Sequence, residues 1–290
     1  MRRLHLRTVS GIPLLGILIY GLSVFSPAHA ETTNCTAITV LPAVITSQGV
    51  YCLTGNLATS MTVGNAIEIQ ANNVTIDLNG FKLGGLGAGD GTQANGIYAF
   101  QRKNITIKNG IVRGFFQGIL LDDSSFNTIN SSGHVVKHIL ADKNTFIGID
   151  VAGLGNTVSH NTVVDTGSST ATTFARGIRV RGAGTQVTDN AVSATTATGT
   201  GTAMGILLDR ADYSLVQNNT VTDTLRVATA SRAIQSTNSV GVFFRNNNLA
   251  NADFGIFFLG TTGIYKDNLT FDVGTPFNGG TDGGGNFSAT

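Results

Sequence analysis

Short runs of alternating apolar and polar residues recur along the chain, separated by clusters of Gly, Asn, Asp and Ser. "NVTIDLNG" and "GILLDD" are representative. Period-two alternation predicts strands with one buried face, and the flanking turn residues predict where each strand ends. Within the repeating part, no segment carries the 3.6-residue period over about ten residues, which excludes helical repeats.

Two markers keep a common period. The first is Asn followed two residues later by an apolar residue, at Asn79, Asn109, Asn161, Asn190, Asn219 and Asn247, and in weaker form at Asn268. Its steps are 30, 52, 29, 29, 28 and 21 residues, and Ser132 in "NTINSSGHVV" is expected to fill the Asn position inside the long step. The second marker, Gly-Ile or its equivalent, falls at Gly96, Gly118, Gly148, Gly177, Gly205, Ala233 and Gly255, with steps of 22, 30, 29, 28, 28 and 22. Such periodicity predicts a solenoid in which each repeat packs only on its neighbours. Two or three short strands per repeat make it an all-β chain, a single right-handed parallel β-helix of about eight coils. Equivalent residues then stack about 4.8 Å apart, and the recurrent Asn is expected to form a hydrogen-bonded ladder at one corner.

The segments "NVTIDLNGFKLGG", "NITIKNGIVRGFFQGILL" and the repeated "N-T-V-x-x-N-x-V" resemble the parallel β-helix proteins of the pectin-lyase-like superfamily over residues 45–272, and "GVYCLTGNL" is similar to the entry segment of its secreted members. The resemblance implies the fold. It does not choose among pectate lyases, polygalacturonases, alginate epimerases, tailspikes and non-catalytic relatives.

Counting from each Gly or from Ala233, positions +1 and +3 are nearly all apolar, from Ile97 and Ala99 to Ile256 and Phe258, and face inward. Positions +2 and +4 therefore face out. The +2 column reads Tyr98, Leu120, Asp150, Arg179, Leu207, Gln235, Phe257; the +4 column reads Phe100, Asp122, Ala152, Arg181, Asp209, Thr237, Leu259.

Charge sharpens that pattern. Charged residues are only 12% of the chain, about half the usual share. The formal charge of +1 excludes a basic nucleic-acid binder. Met1 to Ala30 has a basic start, an apolar stretch from Gly11 to Phe25 and an Ala-His-Ala end, which predicts a cleaved signal peptide; the alternative is a short membrane anchor. Export to the periplasm, the cell surface or the medium follows, with no membrane span after cleavage. In that setting Cys35 and Cys52 are expected to form a disulfide, with two buried thiols as the alternative. The predicted division is leader 1–30, cap and entry strands 31–70, helix 71–272 and a flexible Gly-rich tail 273–290.

Charge concentrated on one outward strand stack points to a saccharide groove, walled by "DTGSSTATTFAR", "SATTATGTGTAM" and "TDTLRVATASR". Asp122 and Asp150, roughly 8 Å apart by strand spacing, fit the carboxylate pair of inverting hydrolysis. Arg179 and Arg181 fit binding of uronate carboxylates, as a lyase or epimerase requires. Asp209 completes the candidate catalytic set, and Tyr98 and Phe257 are candidates for stacking on sugar rings. The competing explanation is cross-strand ion pairing, Asp150 with Arg179 and Arg181 with Asp209, each pair worth under about 1 kcal/mol. The expected partner is an acidic polysaccharide or cell-envelope glycan, and the alternative is a non-catalytic scaffold or adhesin. No cofactor is expected, except that Asp122, Asp150 and Asp209 approximate a calcium cluster. His134, His138 and His160 are too scattered in sequence for metal-ligand spacing.

Overall fold

The computed structural model describes residues 34–123, 129–226 and 228–290. The expected leader, residues 1–30, lies outside the described residues. The remainder winds into coils of three parallel strands. The first ladder carries the Gly-Ile marker and runs through Asn65–Ile69, Asn95–Phe100, Gln117–Asp122, Ile147–Ala152, Ala175–Arg181, Ala203–Asp209 and Arg232–Thr237 into Asn248–Leu259. The second includes Thr157–Ser159, Gln186–Thr188, Leu215–Gln217 and Val242–Arg245. The third includes Thr162–Gly167, Ala191–Thr196 and Thr220–Leu225.

Both inward columns of the first ladder are buried as expected. Ile97, Ile119, Ile149, Ile178, Ile206, Ile234 and Ile256 are each 0% exposed. They merge with the valines of the other ladders into one continuous core. The Gly marker has a packing cause: a Cβ on Gly177 would stand 2.4 Å from the Val192 side chain and 2.6 Å from the Gly205 carbonyl oxygen.

The ladders run past the expected helix bounds of 71–272 at both ends. Ala43–Ile45 already pairs with Asn65–Ile69. The segment 273–290, expected to be a flexible tail, carries strands instead: Leu269–Asn278, Thr281–Asp282 and Phe287–Ala289 extend the ladders. Gly279, Gly280, Gly283, Gly284 and Gly285 lie in the turns between those strands.

The Asn ladder exists, with altered membership. Asn161, Asn190, Asn219, Asn247 and Asn268 pass Nδ2–H to Oδ1 contacts of 2.9–3.1 Å from coil to coil, ending on Asn286. Each of these Oδ1 atoms also accepts the backbone amide of the preceding ladder Asn. Asn79 and Asn109 do not join. They are themselves left-handed turn residues, at φ 50° and 60°. Ser132 does not take the Asn position either: it bridges Lys103 and Leu154 at another corner. Ile139 stands there instead, its amide donating to Asn161 Oδ1 at 3.0 Å. Cys35 and Cys52 form the expected disulfide beside the first strands, with Cα atoms 5.8 Å apart.

Candidate functional site

The outward columns of the first ladder have the predicted register. Tyr98, Leu120, Asp150, Arg179, Leu207, Gln235 and Phe257 stand side by side, as do Arg181, Asp209, Thr237 and Leu259. Glu68 extends the +2 column by one coil below Tyr98.

Four of the five charged candidates form one network. Arg179 donates through Nε to Asp150 Oδ2 at 3.0 Å and through Nη2 to the same oxygen. Arg181 Nη2 donates to Asp122 Oδ1 at 2.8 Å and to Asp150 Oδ1 at 3.3 Å. Asp209, beside Arg181 in register, pairs with Arg210 at 3.3 Å instead. Asp150 is 0% exposed although it points away from the core, because Leu120 flanks it on one side and the guanidinium groups cover it. It is therefore a buried ion pair and not the weak surface pair considered from sequence. Burial pushes its carboxyl pKa up, but the charges and hydrogen bonds of Arg179 and Arg181 outweigh that and hold it below the usual range. For Arg181 burial acts downward, and Asp150 and Asp122 overcome it to raise the guanidinium pKa.

Arg181 Nη2 occupies the space between the Asp122 and Asp150 carboxylates, where inverting hydrolysis would seat a water. Near it, a dent lined by Asp123, Arg181, Asp209 and Arg210 encloses about 30 Å³. That is room for about two or three waters, so this dent does not enclose a sugar ring and the face around it is an open platform. Tyr98 stands between Glu68 and Leu120 in the +2 column, its phenol pKa raised by burial and then by Asp122 and Glu68. Phe257 stands further along the same column, between Gln235 and Asn278, edge-on to Phe254 at 5.0 Å.

Sequence counting from the Gly marker missed the column one residue before it: Gln117, Ile147, Arg176, Met204, Arg232 and Phe254. Arg176 lies between the Phe146 and Phe174 rings, at 5.1 and 5.7 Å. Its Nε is buried without a hydrogen-bond partner, and no carboxylate among the described residues pairs with it. Burial, then the nearby Arg179, pull its pKa down to about 10, opposed by Asp150 and Asp209, so it stays cationic at neutral pH. Two coils along, Arg232 repeats the arrangement over Phe257 at 4.7 Å, also with a buried unpartnered Nε. "FARG" and "ASRA" placed both cations beside the marker, which was the available signal. The three Thr-rich loops do form a wall: Thr170 bonds back to Asp90, Thr198 to Thr173 and Thr229 to Gly201.

His134 is buried, its Nδ1 accepting the Ile105 amide. His138 and His160, scattered in sequence, stand on adjacent coils with ring centroids 5.4 Å apart.

Together these features define a right-handed parallel β-helix of the pectin-lyase-like class with a charged and aromatic outer sheet face. Within it, the chain belongs to the family described as periplasmic copper-binding protein (NosD), whose profile matches residues 34–269. The fold is similar to the Dettilon tailspike protein (14% identity, TM-score 0.58, covering 88% of this chain and 61% of that one). It is also similar to the enzymatically active domain of tailspike protein 2 from bacteriophage CBA120 (13%, TM-score 0.55, 85% and 42%). The chain thus spans only about half the length of those proteins. No curated protein matches it. Among the described residues, no helix is long and apolar enough to cross a membrane.

Proposed function

We propose that the outer face of the first ladder binds a carboxylate-bearing polysaccharide without cleaving it. The carrying observation is Arg176, a cation held between two aromatic rings with a buried, unpartnered Nε and no acid of its own. Arg176 as a whole is half-buried, so a ligand carboxylate that reaches the open edge of its guanidinium would gain a charge-assisted hydrogen bond to a cation with no acid of its own. Arg232 offers the same group about 10 Å further along the stack, a spacing suited to charges recurring along a chain. The flanking Phe146 and Phe257 supply flat apolar surface for sugar rings. Asp122, Asp150, Arg179 and Arg181 satisfy one another, so their role in this reading is to hold the platform flat and rigid. Bound calcium at Asp122 and Asp150 would have to displace Arg181. The same guanidinium is what favours the second reading, a scaffold with no ligand at this face.

Calorimetric titration with oligogalacturonate and oligomannuronate, beside neutral oligosaccharides, tests the proposal. Binding of an acidic oligomer is expected to weaken roughly 10- to 100-fold in Arg176→Gln, the loss of one charge-assisted hydrogen bond, with little change in melting temperature. Arg179→Ala is expected to destabilise the fold by about 3 kcal/mol with or without ligand, since it strips a partner from buried Asp150. Wild-type protein indifferent to every acidic oligomer would leave the scaffold reading.

A further inference from the structure

We propose that a hollow at the corner between the third and first ladders binds a single uncharged sugar residue. It stands apart from the glycan platform, because none of its lining residues belongs to the outward columns of the first ladder.

Two inserted loops make the hollow. One holds the short 3₁₀ turn Leu86–Ala88, and the other is 168–174. Between them two coils turn the same corner without an insert, at 114–116 and 143–146. The loops meet across that gap: the Thr170 amide donates to the Asp90 carbonyl at 3.2 Å, and Ser169 Oγ donates to the same oxygen at 3.4 Å. About 220 Å³ is left between them, with Leu86, Asp90, Lys143, Thr145, Asp165 and Ser168 in its lining. That is less than the roughly 300–1,000 Å³ of pockets for drug-sized molecules, and it suits one small ring.

The floor is the first sign of a ligand. Asn144 turns inward, where its Oδ1 accepts the Phe115 amide at 3.1 Å and its Nδ2 donates to the Val112 carbonyl at 3.2 Å. Its neighbour Thr145 therefore points outward, yet at the floor of the hollow it is only 6% exposed. Thr145 Oγ1 is buried and has no hydrogen-bond partner.

Charge supplies the rest. Lys143 and Asp165 follow the paired Asp142 and Val164 on adjacent coils, both in left-handed turns at φ 52°. Later coils turn this corner with Ala194, Asp223, Asn251 and Asp272, and none of them places a cation there. Among the described residues, the side chains of Lys143, Asp90 and Asp165 have no hydrogen bond or ion pair. An ammonium group only donates and a carboxylate only accepts. A polyol satisfies both at once: its hydroxyls donate to Asp90 and Asp165, and their lone pairs accept from Lys143 and Thr145. Two carboxylates against one ammonium disfavour an anionic sugar, which separates this ligand from that of the platform. Leu86, 49% exposed, offers apolar surface to the C–H face of a sugar ring.

The test is an NMR titration of the full chain with the methyl glycosides of glucose, galactose and mannose, beside the methyl glycoside of galacturonate and free glycine. Binding is followed at the Gly167 and Ser168 amides, which report on this corner and not on the platform. At least one neutral glycoside is expected to bind with a Kd of about 1 mM, in keeping with a ligand of about a dozen non-hydrogen atoms. Thr145→Val keeps the shape and removes the hydroxyl, so affinity should fall about tenfold while the melting temperature stays level or rises. Lys143→Asn keeps the turn, as Asn251 does in a later coil, and should lose about tenfold or more. Wild-type affinity in both variants would overturn the assignment. So would the absence of binding by every neutral glycoside, or tighter binding of galacturonate or glycine at these amides.

Discussion

His134 has 1% of its surface exposed and uses Nδ1 to accept the Ile105 amide at 3.3 Å, while its own amide donates to Asn156. Protonation would remove the acceptor. Burial lowers its pKa to about 4, against a weaker upward pull from Asp123. Between the unfolded value of about 6.5 and that of the folded state, the unfolded chain binds a proton that the folded chain refuses. Stability therefore rises with pH across this window, and about 3 kcal/mol is lost once the pH falls below about 4. Asp150 acts lower: its depressed pKa contributes stability that is present above the unfolded carboxylate value and is lost as pH falls through the folded one. Urea unfolding at pH 7 and pH 4.5 should separate the two. His134→Gln is expected to remove most of the difference between those pH values; an unchanged difference would assign it to other groups.

Ladder membership makes a similar distinction between neighbouring strands. Asn219 accepts from both the amide and the Nδ2 of Asn190, and donates to Val187 and Asn247. Asn219→Ala would leave several buried groups unpaired, with an expected cost of about 2–4 kcal/mol. Asn79→Gly, which keeps the left-handed turn, should cost under about 1 kcal/mol; equal denaturation midpoints for the two variants would contradict the assignment. The difference was legible in dipeptides. True ladder members follow a residue suited to a left-handed turn, as in His160-Asn161, Asp189-Asn190 and Asn246-Asn247. Asn79 and Asn109 instead precede Gly and take the turn themselves. The outward columns could be read because period-two alternation fixes facing whatever the partners are. The burial of Asp150 could not, since it depends on where Arg181 reaches across Ala152 to Asp122. Nor could the His138–His160 pair, which rests on a short coil between two longer ones.

Because coils touch mainly their neighbours, damage at one end should stay local. The Cys35–Cys52 bridge spans 17 residues, and opening it is expected to cost about 3 kcal/mol by loop entropy. Hydrogen exchange after reduction should rise over residues 36–58 and stay unchanged beyond residue 200; uniform acceleration would mean that the solenoid unfolds as one unit. The Thr-rich wall carries a different consequence. Second-ladder register advances by 22 residues from Val135 to Thr157 and by 29 from Thr157 to Gln186, yet the strands pair without slippage. The surplus is taken up after the third strand, where Ser168 to Phe174 form the wall. Insertions and deletions at that corner therefore leave the strand pairings and the apolar core in place. Descendants of such a chain can lengthen or trim the rim of the platform one coil at a time, changing what fits over Arg176 while the core beneath is inherited intact.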